Sequence, residues 1–350
     1  MKIIRTQGEH MTHGILYGMA TGCILLLLAY TPVTVMAALS AVKTVATRAE
    51  SFQPRSILKE PDWKATWNQL ALKLQADGLD TELINNLFSR IDSPPSLVPM
   101  GTKITELYTN HFLPKKNKHK VTPFETELGI PGPWFKGVVS SQNAMLCKKF
   151  IDDNASAFAL AELSSGVPQE VAAALLFVET RLGTYVGKDN AFLMLAGMSV
   201  SRNPMDFTAY LDKLSGSYDH IEWIRQKMES KADWAYAELK ALLDYCFSNN
   251  IDPLQVPGSI YGAIGLCQFM PSNIARRAVD GNKDGRIDLF SPDDAVSSLS
   301  NYLQKSGWKD GIDLEKQIKV LRSYNAMTIY ARTILALAET IRRLDGQSDS

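Results

Sequence analysis

An uninterrupted apolar run that ends in a glutamate constrains the fold of this 350-residue chain more than any other feature. The run covers residues 171–178, and Glu179 follows it directly. Pro168 favours a helix start, because proline is tolerated in the first turn, and Gly183 favours a stop. A helix that is apolar on every side is buried rather than amphipathic. The sequence therefore predicts a buried helix over 168–181 with a carboxyl group near its end.

The surroundings predicted for Glu179 would raise its pKa. A carboxylate against apolar walls is poorly solvated, so the protonated form is favoured. A proton held near neutral pH is what a general acid needs at a glycosidic oxygen. Taken by itself, however, the helix favours a structural interpretation, in which the Glu179 carboxylate pairs with Arg181 or another cation.

A glycine-rich segment at 258–272 is the second candidate for a functional site. Its three glycines within eight residues, 258–265, let the backbone approach a ligand closely. Ser259 and Gln268 can offer hydrogen bonds inside an otherwise apolar stretch. The alternative is a tight loop before a helix that begins at Pro271.

Together these segments resemble the soluble lytic transglycosylases, above all the membrane-bound lytic murein transglycosylase B group. The resemblance covers residues 62–343. It is carried by Glu-Thr-Arg at 179–181, by Gly-Ala-Ile-Gly at 262–265 leading into Gln-Phe-Met-Pro-Ser at 268–272, and by Tyr-Asn at 324–325. Three residues at two places in the chain depart from the group. Leu182 stands where an aromatic residue is frequent, and Leu266-Cys267 where an aromatic residue and a glycine are common, so both are expected to alter a subsite.

The resemblance implies a mainly α, lysozyme-like domain that cleaves the bond between N-acetylmuramic acid and N-acetylglucosamine in peptidoglycan without water. Glu179 would be the one catalytic carboxyl group, first as acid and then as base, and no catalytic cofactor is implied. Glycoside hydrolases generally need two carboxylates, so a single glutamate is consistent with this scheme. The matching positions that become candidates for sugar binding are Ser259, Gln268, Tyr324, Asn325 and Tyr330.

Two other functions stay open. One is a hydrolytic muramidase of the same fold, with Asp189 or another carboxylate as its second group. The other is a catalytically inactive, calcium-stabilised glycan-binding scaffold.

The chain lacks the motifs of zinc peptidases, serine hydrolases and nucleotide-binding proteins. Its 37 basic and 37 acidic residues balance, which argues against nucleic acid as a partner. The predicted partner is the glycan strand of peptidoglycan, bound by a monomer.

A segment that begins at residue 280 has the oxygen spacing of a calcium loop. Oxygen-bearing side chains fall at loop positions 1, 3, 5 and 9, glycine falls at 6, and position 12 is Ser291 instead of the usual glutamate. Related transglycosylases use a longer loop, which would make Asp294 a ligand. The alternative is a capping box, in which Asp294 reaches back to the start of the next helix. The predicted ligands of a structural Ca²⁺ ion are Asp280, Asn282, Asp284, the Arg286 carbonyl and Asp294.

The N-terminus predicts export. Lys2 and Arg5 precede an uncharged stretch at 14–42, and Val-Met-Ala at 35–37 fits a signal peptidase site, so residues 1–37 are interpreted as a cleaved signal peptide. Because 14–42 is long enough to span a bilayer, an uncleaved membrane anchor is the alternative. With the resemblance, this predicts the periplasm of a Gram-negative bacterium, with peripheral or anchored membrane association as a further option.

The rest of the chain is divided by composition and periodicity. We expect a linker at 38–61, a helical and loop region at 62–139, the lysozyme-like domain at 140–345 and a tail at 346–350. Two helices joined at 76–78 are predicted in 62–91, a loop with a basic run at 115–120 is predicted in 93–133, and a small hairpin is predicted near 286–289. The other helices are predicted at 144–163, 168–181, 204–214, 221–230, 234–249, 271–279, 292–305, 314–324 and 329–344.

The cysteines are too few for a disulfide scaffold. After removal of the signal, Cys147, Cys246 and Cys267 are left in a compartment that can be oxidising. Three cysteines allow at most one internal disulfide. The pair considered is 246–267, and buried free thiols are the alternative.

Overall fold

The computed structural model describes residues 62–113 and 128–348, and these residues are mainly helical, as predicted. The predicted signal peptide, the linker and the basic run at 115–120 lie outside them. The α-helices are α1 (Trp63–Ala76), α2 (Thr81–Ser89), α3 (Val98–Phe112), α4 (Ser141–Asp153), α5 (Ala155–Ser165), α6 (Gln169–Thr180), α7 (Ala191–Val200), α8 (Thr208–Leu211), α9 (Ile221–Ser248), α10 (Pro271–Arg277), α11 (Pro292–Lys305), α12 (Leu314–Tyr324) and α13 (Thr328–Ser348). Short 3₁₀ turns lie at Pro204–Phe207, Tyr218–His220 and Pro253–Gln255.

The predicted N-terminal helix pair is confirmed, and side-chain caps explain where its helices begin. The Asp62 carboxylate accepts a hydrogen bond from the Ala65 amide at 3.2 Å at the start of α1. The Asp80 carboxylate does the same for the Leu83 amide at 2.9 Å at the start of α2. Such caps satisfy amides that have no partner within the helix. Between the two helices Gly78 takes a left-handed φ of +95°.

Several predicted boundaries are wrong. The segment predicted as a loop contains α3, and α7 was not predicted at all. The single helix expected at 144–163 is divided at Asn154 into α4 and α5, whereas the two helices expected at 221–230 and 234–249 form one helix, α9. The helix expected at 204–214 is reduced to a 3₁₀ turn and α8.

The predicted hairpin near 286–289 is not formed. The strand pair in the described part of the chain is instead antiparallel and joins β1 (Asp189–Asn190) to β2 (Pro257–Gly258). It ties the turn after α6 to the start of the glycine-rich segment, so this small sheet helps to position both candidate segments.

The buried helix predicted over 168–181 is confirmed as α6. Every residue from 171 to 178 is at most 5 % exposed, because α4, α5, α11 and α13 all pack against this helix. The same hydrophobic cluster extends from Trp67 to Ile341. The N-terminal helices therefore share one core with the rest of the described chain, and a boundary at 139/140 stays a prediction.

The three cysteines in the described residues are free and buried. The disulfide considered between 246 and 267 is therefore not formed, and the alternative of buried free thiols is confirmed. Burial raises the pKa of each thiol to about 12, which makes the thiolate a negligible species at neutral pH. None of the helices in the described ranges is both long and apolar enough to cross a membrane.

We expect the glycine-rich segment to be sensitive to a single added methyl group. Gly265 has φ +74° and Gly285 has φ +86°, so alanine at either position strains the backbone. A Cβ at 265 would also lie 2.5 Å from the Leu289 Cβ, whereas a Cβ at 285 meets nothing within 4 Å. Gly265→Ala should therefore lower the free energy of unfolding by about 2–3 kcal/mol, and Gly285→Ala by about 1 kcal/mol. Urea denaturation measures both, and equal losses would contradict the expectation.

Candidate active site

Glu179 lies in the last turn of α6, where the buried helix reaches a partly exposed edge of the core. The Tyr330 hydroxyl on α13 donates a hydrogen bond to its Oε1 at 2.5 Å. The sequence left open an ion pair between the Glu179 carboxylate and Arg181, and this ion pair is not formed. The Arg181 guanidinium lies over the Phe177 ring instead, 4.6 Å from the ring centroid. Within the described residues Glu179 has a phenol as its partner and forms no ion pair with a cation.

Burial sets the protonation state of this carboxyl group. Desolvation raises the pKa of Glu179 to about 7, while the hydrogen bond from Tyr330 acts in the opposite direction and lowers it. Burial and the charge of Glu179 together hold the pKa of Tyr330 well above its ordinary value, so Tyr330 stays a donor. Near neutral pH the carboxyl group is therefore close to half protonated, and it can both release and accept a proton.

An aromatic wall connects Glu179 to the glycine-rich segment. The Tyr324 ring lies parallel to the Tyr330 ring, with centroids 6.5 Å apart. The Tyr324 hydroxyl donates to the carbonyl oxygen of Cys267, the residue before Gln268. Both tyrosines that the sequence selected thus lie beside Glu179. The Tyr330 hydroxyl holds the Glu179 carboxylate, and the Tyr324 hydroxyl holds the turn of the glycine-rich segment.

Thr180 fixes the helix end to the same turn from the other side. Its hydroxyl donates to the Leu266 carbonyl at 2.8 Å and accepts from the Gly183 amide at 3.0 Å. The side chain is fully buried. The sequence pattern assigns Thr180 no role of its own, although Thr180 lies within the Glu-Thr-Arg motif. The hydrogen bond to Leu266 joins the end of α6, next to Glu179, to the glycine-rich segment.

The glycine-rich segment is a tight turn held by its own backbone. Ile264 bridges to both Gly258 and Phe269. Gln268 takes a left-handed φ of +50°. Its side-chain nitrogen Nε2 donates to the carbonyl oxygens of Gly265 at 3.0 Å and Val186 at 3.3 Å. These bonds fix the Gln268 side chain between the turn and the residues that follow α6.

Ser259 and Asn325 occupy turn positions. The Ser259 hydroxyl accepts from the amides of Tyr261 at 3.3 Å and Ala263 at 3.0 Å, and so shapes the tip of the glycine-rich segment. The Asn325 amide oxygen accepts from the Met327 amide at 3.2 Å, between α12 and α13. Both side chains therefore accept hydrogen bonds from backbone amides of their own turns.

A buried carboxylate that the sequence analysis missed supports the same turn. Glu238 on α9 is only 5 % exposed, and its two oxygens accept hydrogen bonds from the Ser272 amide and hydroxyl, each at 2.8 Å. This contact fixes the first turn of α10, four residues after Gln268. No local pattern could have revealed it, because 34 residues separate the two partners.

A hydrolase needs a second carboxylate near Glu179. Among the described residues, the group that hydrogen-bonds the Glu179 carboxylate is the Tyr330 hydroxyl. Asp189, the residue considered for this role, belongs to β1 and pairs through its backbone with Gly258.

The candidate calcium segment is held by bonds of its own. The Asp280 carboxylate accepts from the amides of Asp284 at 3.1 Å and Gly285 at 2.8 Å. Asn282 Oδ1 accepts from the Asp284 amide at 3.0 Å, and Asp284 Oδ1 accepts from the Arg286 amide at 2.9 Å. These oxygens face the loop's own backbone. Among the residues described, no three His, Cys, Asp or Glu side chains are grouped to hold a metal.

Asp294 clamps this segment to α11. It is 1 % exposed, and its two oxygens accept from the amides of Gly281 at 2.7 Å and Asp288 at 2.6 Å. Burial raises the pKa of Asp294, and the backbone bonds oppose that shift. The predicted capping box is not formed, since Asp294 bonds these loop amides and Ser291 makes no side-chain cap.

Comparisons with known proteins identify related chains. The family model of the transglycosylase SLT domain matches residues 62–320. The membrane-bound lytic murein transglycosylase B of Escherichia coli strain K12 is 29 % identical over 198 residues, which are 56 % of this chain and 48 % of that protein. The match therefore spans about half the length of this relative.

Solved structures show the same fold. The E. coli lytic transglycosylase Slt35 in complex with calcium has a TM-score of 0.57 at 20 % identity, covering 81 % of this chain and 94 % of that one. SltB3 from Pseudomonas aeruginosa in complex with NAG-anhNAM-pentapeptide has a TM-score of 0.55 at 18 % identity, covering 80 % and 78 %. The predicted mainly α, lysozyme-like fold class is confirmed.

We expect Glu179 to make the stability of the protein depend on pH. Its pKa is about 7 in the folded chain and 4.5 in the reference state, so the folded protein binds more protons between these values and loses stability as pH rises through them. Glu179→Gln should therefore raise the free energy of unfolding by about 2–3 kcal/mol at pH 8 and change it little at pH 4. Urea denaturation at both pH values measures this difference.

The matched control is Tyr330→Phe, which removes the hydrogen bond that favours the ionised carboxylate. The pKa of Glu179 should then move further upward, which ¹³C NMR of the carboxyl carbon reports. The same stabilisation by Glu179→Gln at pH 4 and pH 8 would show that the carboxyl group is not desolvated.

Proposed function

Because the chain belongs to the transglycosylase SLT domain family, whose model matches residues 62–320, we propose that it is a lytic transglycosylase of peptidoglycan. It cleaves the β-1,4 bond between N-acetylmuramic acid and N-acetylglucosamine and leaves a 1,6-anhydro ring on the muramic acid. The single observation that carries this proposal is the desolvated carboxyl group of Glu179, with a pKa of about 7 and a tyrosine as its partner.

The first step uses the protonated form of Glu179. Its proton moves to the glycosidic oxygen, the bond from that oxygen to C1 of the muramyl residue breaks, and N-acetylglucosamine leaves as an alcohol. Positive charge develops at C1, and the carboxylate is now ionised beside it. The Tyr330 hydroxyl favours this ionised form, because its hydrogen bond is strongest to a full negative charge.

The second step returns the proton. The C6 hydroxyl of the same muramyl residue attacks C1, and Glu179 accepts the hydroxyl proton as the O6–C1 bond forms. The ring closes with no water consumed, and Glu179 is protonated again. A nucleophile supplied by the substrate explains why one carboxyl group suffices, whereas glycoside hydrolases generally need two.

The glycine-rich segment supplies the second wall of the sugar site in this proposal. Gln268 is the principal candidate for a direct contact, because its amide nitrogen is already held by two carbonyls and its amide oxygen is an acceptor. The other candidates have supporting roles in this proposal. Tyr330 holds the Glu179 carboxylate, and Tyr324 and Ser259 hold the glycine-rich segment. Asn325 shapes the turn between α12 and α13.

The proposed substrate is a peptidoglycan glycan strand, reached by export to the periplasm. The sequence of residues 1–37 supports export, and membrane attachment through 14–42 is the second option. A related protein is named as a membrane-bound transglycosylase, and a structural neighbour was solved with a muropeptide that carries an anhydro ring. These names support the substrate class.

The decisive test is the chemistry of the products. Purified murein should give anhydromuropeptides by mass spectrometry, and Glu179→Gln should lower the rate by about 10²- to 10⁴-fold, because a general acid is lost. Glu82→Gln, an exposed substitution of the same kind on α2, should leave the rate unchanged. Thermal melting checks that both variants are folded.

Other products would replace the proposal. Reducing muropeptides would show a hydrolytic muramidase, and intact glycan that is still bound would show an inactive scaffold. Full activity in Glu179→Gln would remove Glu179 from the mechanism whatever the products are.

We also propose that the segment from Asp280 to Asp294 binds Ca²⁺ as a structural ion. The oxygens of Asp280, Asn282 and Asp284 and the Arg286 carbonyl are the hard ligands that Ca²⁺ prefers. A calcium complex of a structural neighbour supports this class of ion. Asp294 already bonds two amides, so its principal role in this proposal is to hold the loop against α11.

Calcium should therefore stabilise the protein through the loop ligands. At 1 mM Ca²⁺ we expect the melting temperature to rise by a few degrees relative to chelator, as for any ligand that binds the folded state. Asp284→Asn should remove this increase, whereas Asp293→Asn, beside the clamp, should keep it. An unchanged melting temperature and no heat of binding by calorimetry would refute the calcium site.

A further inference from the structure

The tip of the glycine-rich segment is held by a helix from the N-terminal part of the chain. The Tyr261 hydroxyl donates a hydrogen bond to Oε1 of Glu106 on α3 at 2.6 Å, across 155 residues of sequence. The Lys103 ammonium lies 2.8 Å from Oε2 of the same carboxylate and 3.8 Å from the centroid of the Tyr261 ring. Each of these three side chains therefore contacts the other two.

This triad of Lys103, Glu106 and Tyr261 is partly withdrawn from water. The side chains of Lys103 and Glu106 are 21 % and 17 % exposed, and Tyr261 is partly buried. Lys103 and Glu106 are three residues apart, which places them on one face of α3. Both carboxylate oxygens are occupied, one by the phenol and one by the ammonium. Hydrogen bonds to a charged group in such a setting are stronger than those of an exposed surface pair.

The backbone of the tip also packs against α7. Gly262 has φ +82°, and a Cβ at this position would lie 2.5 Å from the Leu195 side chain. A glycine is therefore needed for the backbone to approach α7 this closely. Contacts with two helices, α3 and α7, together fix the position of the tip.

Hydrogen bonds connect the tip to Gln268. The Ser259 hydroxyl accepts from the Tyr261 amide at 3.3 Å, which ties the base of the tip to the residue that α3 holds. Three residues after Tyr261, Ile264 exchanges two backbone hydrogen bonds of 2.9 and 3.0 Å with Phe269. Gln268 directly precedes Phe269. A displacement of Tyr261 should therefore reach the Gln268 backbone through a short run of bonded residues.

We propose that Lys103, Glu106 and Tyr261 are positioning residues for the sugar site, and that α3 sets the position of Gln268 through them. This rests on the proposed function, in which the glycine-rich segment forms one wall of that site. The three side chains act through Gln268 and take no part in breaking the glycosidic bond. Helix α3, from the region predicted to precede the lysozyme-like domain, thereby becomes part of the support of the sugar site.

The kinetics of Tyr261→Phe on soluble glycan strands from murein separate positioning from stability. The substitution keeps the ring and removes the hydroxyl, so it breaks the bond to Glu106 with little other change. We expect kcat/KM to fall about fivefold, which corresponds to the ~1 kcal/mol of one hydrogen bond. Most of the loss should be a higher KM, because the displaced wall binds the sugar while Glu179 still transfers the proton. Thermal melting should show a folded protein.

Substitutions of Glu106 test whether the hydrogen bond is the cause. Glu106→Gln keeps an oxygen that can accept from the phenol, so kcat/KM should stay within about twofold of wild type. Glu106→Ala has no acceptor and should match Tyr261→Phe. The double variant with Tyr261→Phe and Glu106→Ala should also lose about fivefold rather than about 25-fold, because both changes break the same bond. Glu222→Ala is the matched control, since Glu222 pairs with Arg225 on the surface of α9, and it should leave kcat/KM unchanged.

Hydrogen exchange measures the hold on the segment without any substrate. The amides of Ile264 and Phe269 should exchange about fivefold faster in Tyr261→Phe than in wild type, and those of α6 should be unchanged. Equal exchange in both proteins would overturn the proposal.

Three kinetic outcomes would also overturn it. They are a wild-type kcat/KM in Tyr261→Phe, a loss confined to kcat, and a loss of about 25-fold in the double variant. A lower melting temperature with unchanged kinetics would show that the triad only stabilises the fold. If wild-type protein cleaves no glycan, that result counts against the proposed function, and the exchange of the Ile264 and Phe269 amides then decides whether α3 holds the segment.

Discussion

The structure depends on one unfavourable placement, a carboxyl group at the end of a helix that is buried on every side. Withdrawal of Glu179 from water raises its pKa to about 7, which keeps a proton available where an ordinary glutamate would have lost it. The cost of ionising the group is reduced by the Tyr330 hydroxyl. Burial and this bond act in opposite directions, and their balance leaves both protonation states accessible near neutral pH.

Hydrogen bonds between segments that are distant in sequence hold the surroundings of this group. Thr180 bonds the Leu266 carbonyl, and Tyr324 bonds the Cys267 carbonyl, so the glycine-rich segment is fixed from two sides. Glu238 holds the first turn of α10 just beyond it. The Thr180 bond is buried and the other two contacts are partly buried. Loss of Thr180 would therefore leave a buried carbonyl group unsatisfied, which costs more than the bond itself contributes.

The secondary structure could be predicted where periodicity or caps were strong. Helix α3 was missed because prolines and basic residues around it favoured a loop, although Met100, Ile104 and Tyr108 are buried at four-residue intervals. Helix α7 was missed because its sequence is apolar on every side and so has no helical period. Helix α9 continues through residues 231–233 because Ala232 is fully buried there, and tertiary packing overrides a weak local pattern.

From the sequence we could predict that residues 168–181 form a buried helix and that Glu179 is poorly solvated, and a tight loop was one of two interpretations of the glycine-rich segment. These conclusions need only hydropathy and backbone stereochemistry, which are local. Which partner Glu179 has depends on how the helices pack. Their packing selected Tyr330 over Arg181 and placed the Arg181 guanidinium on Phe177. It also made Asp294 a clamp on loop amides rather than a cap on its own helix. The reason is that a hydrogen bond depends on distances between segments far apart in sequence, and those distances are set by how the helices pack.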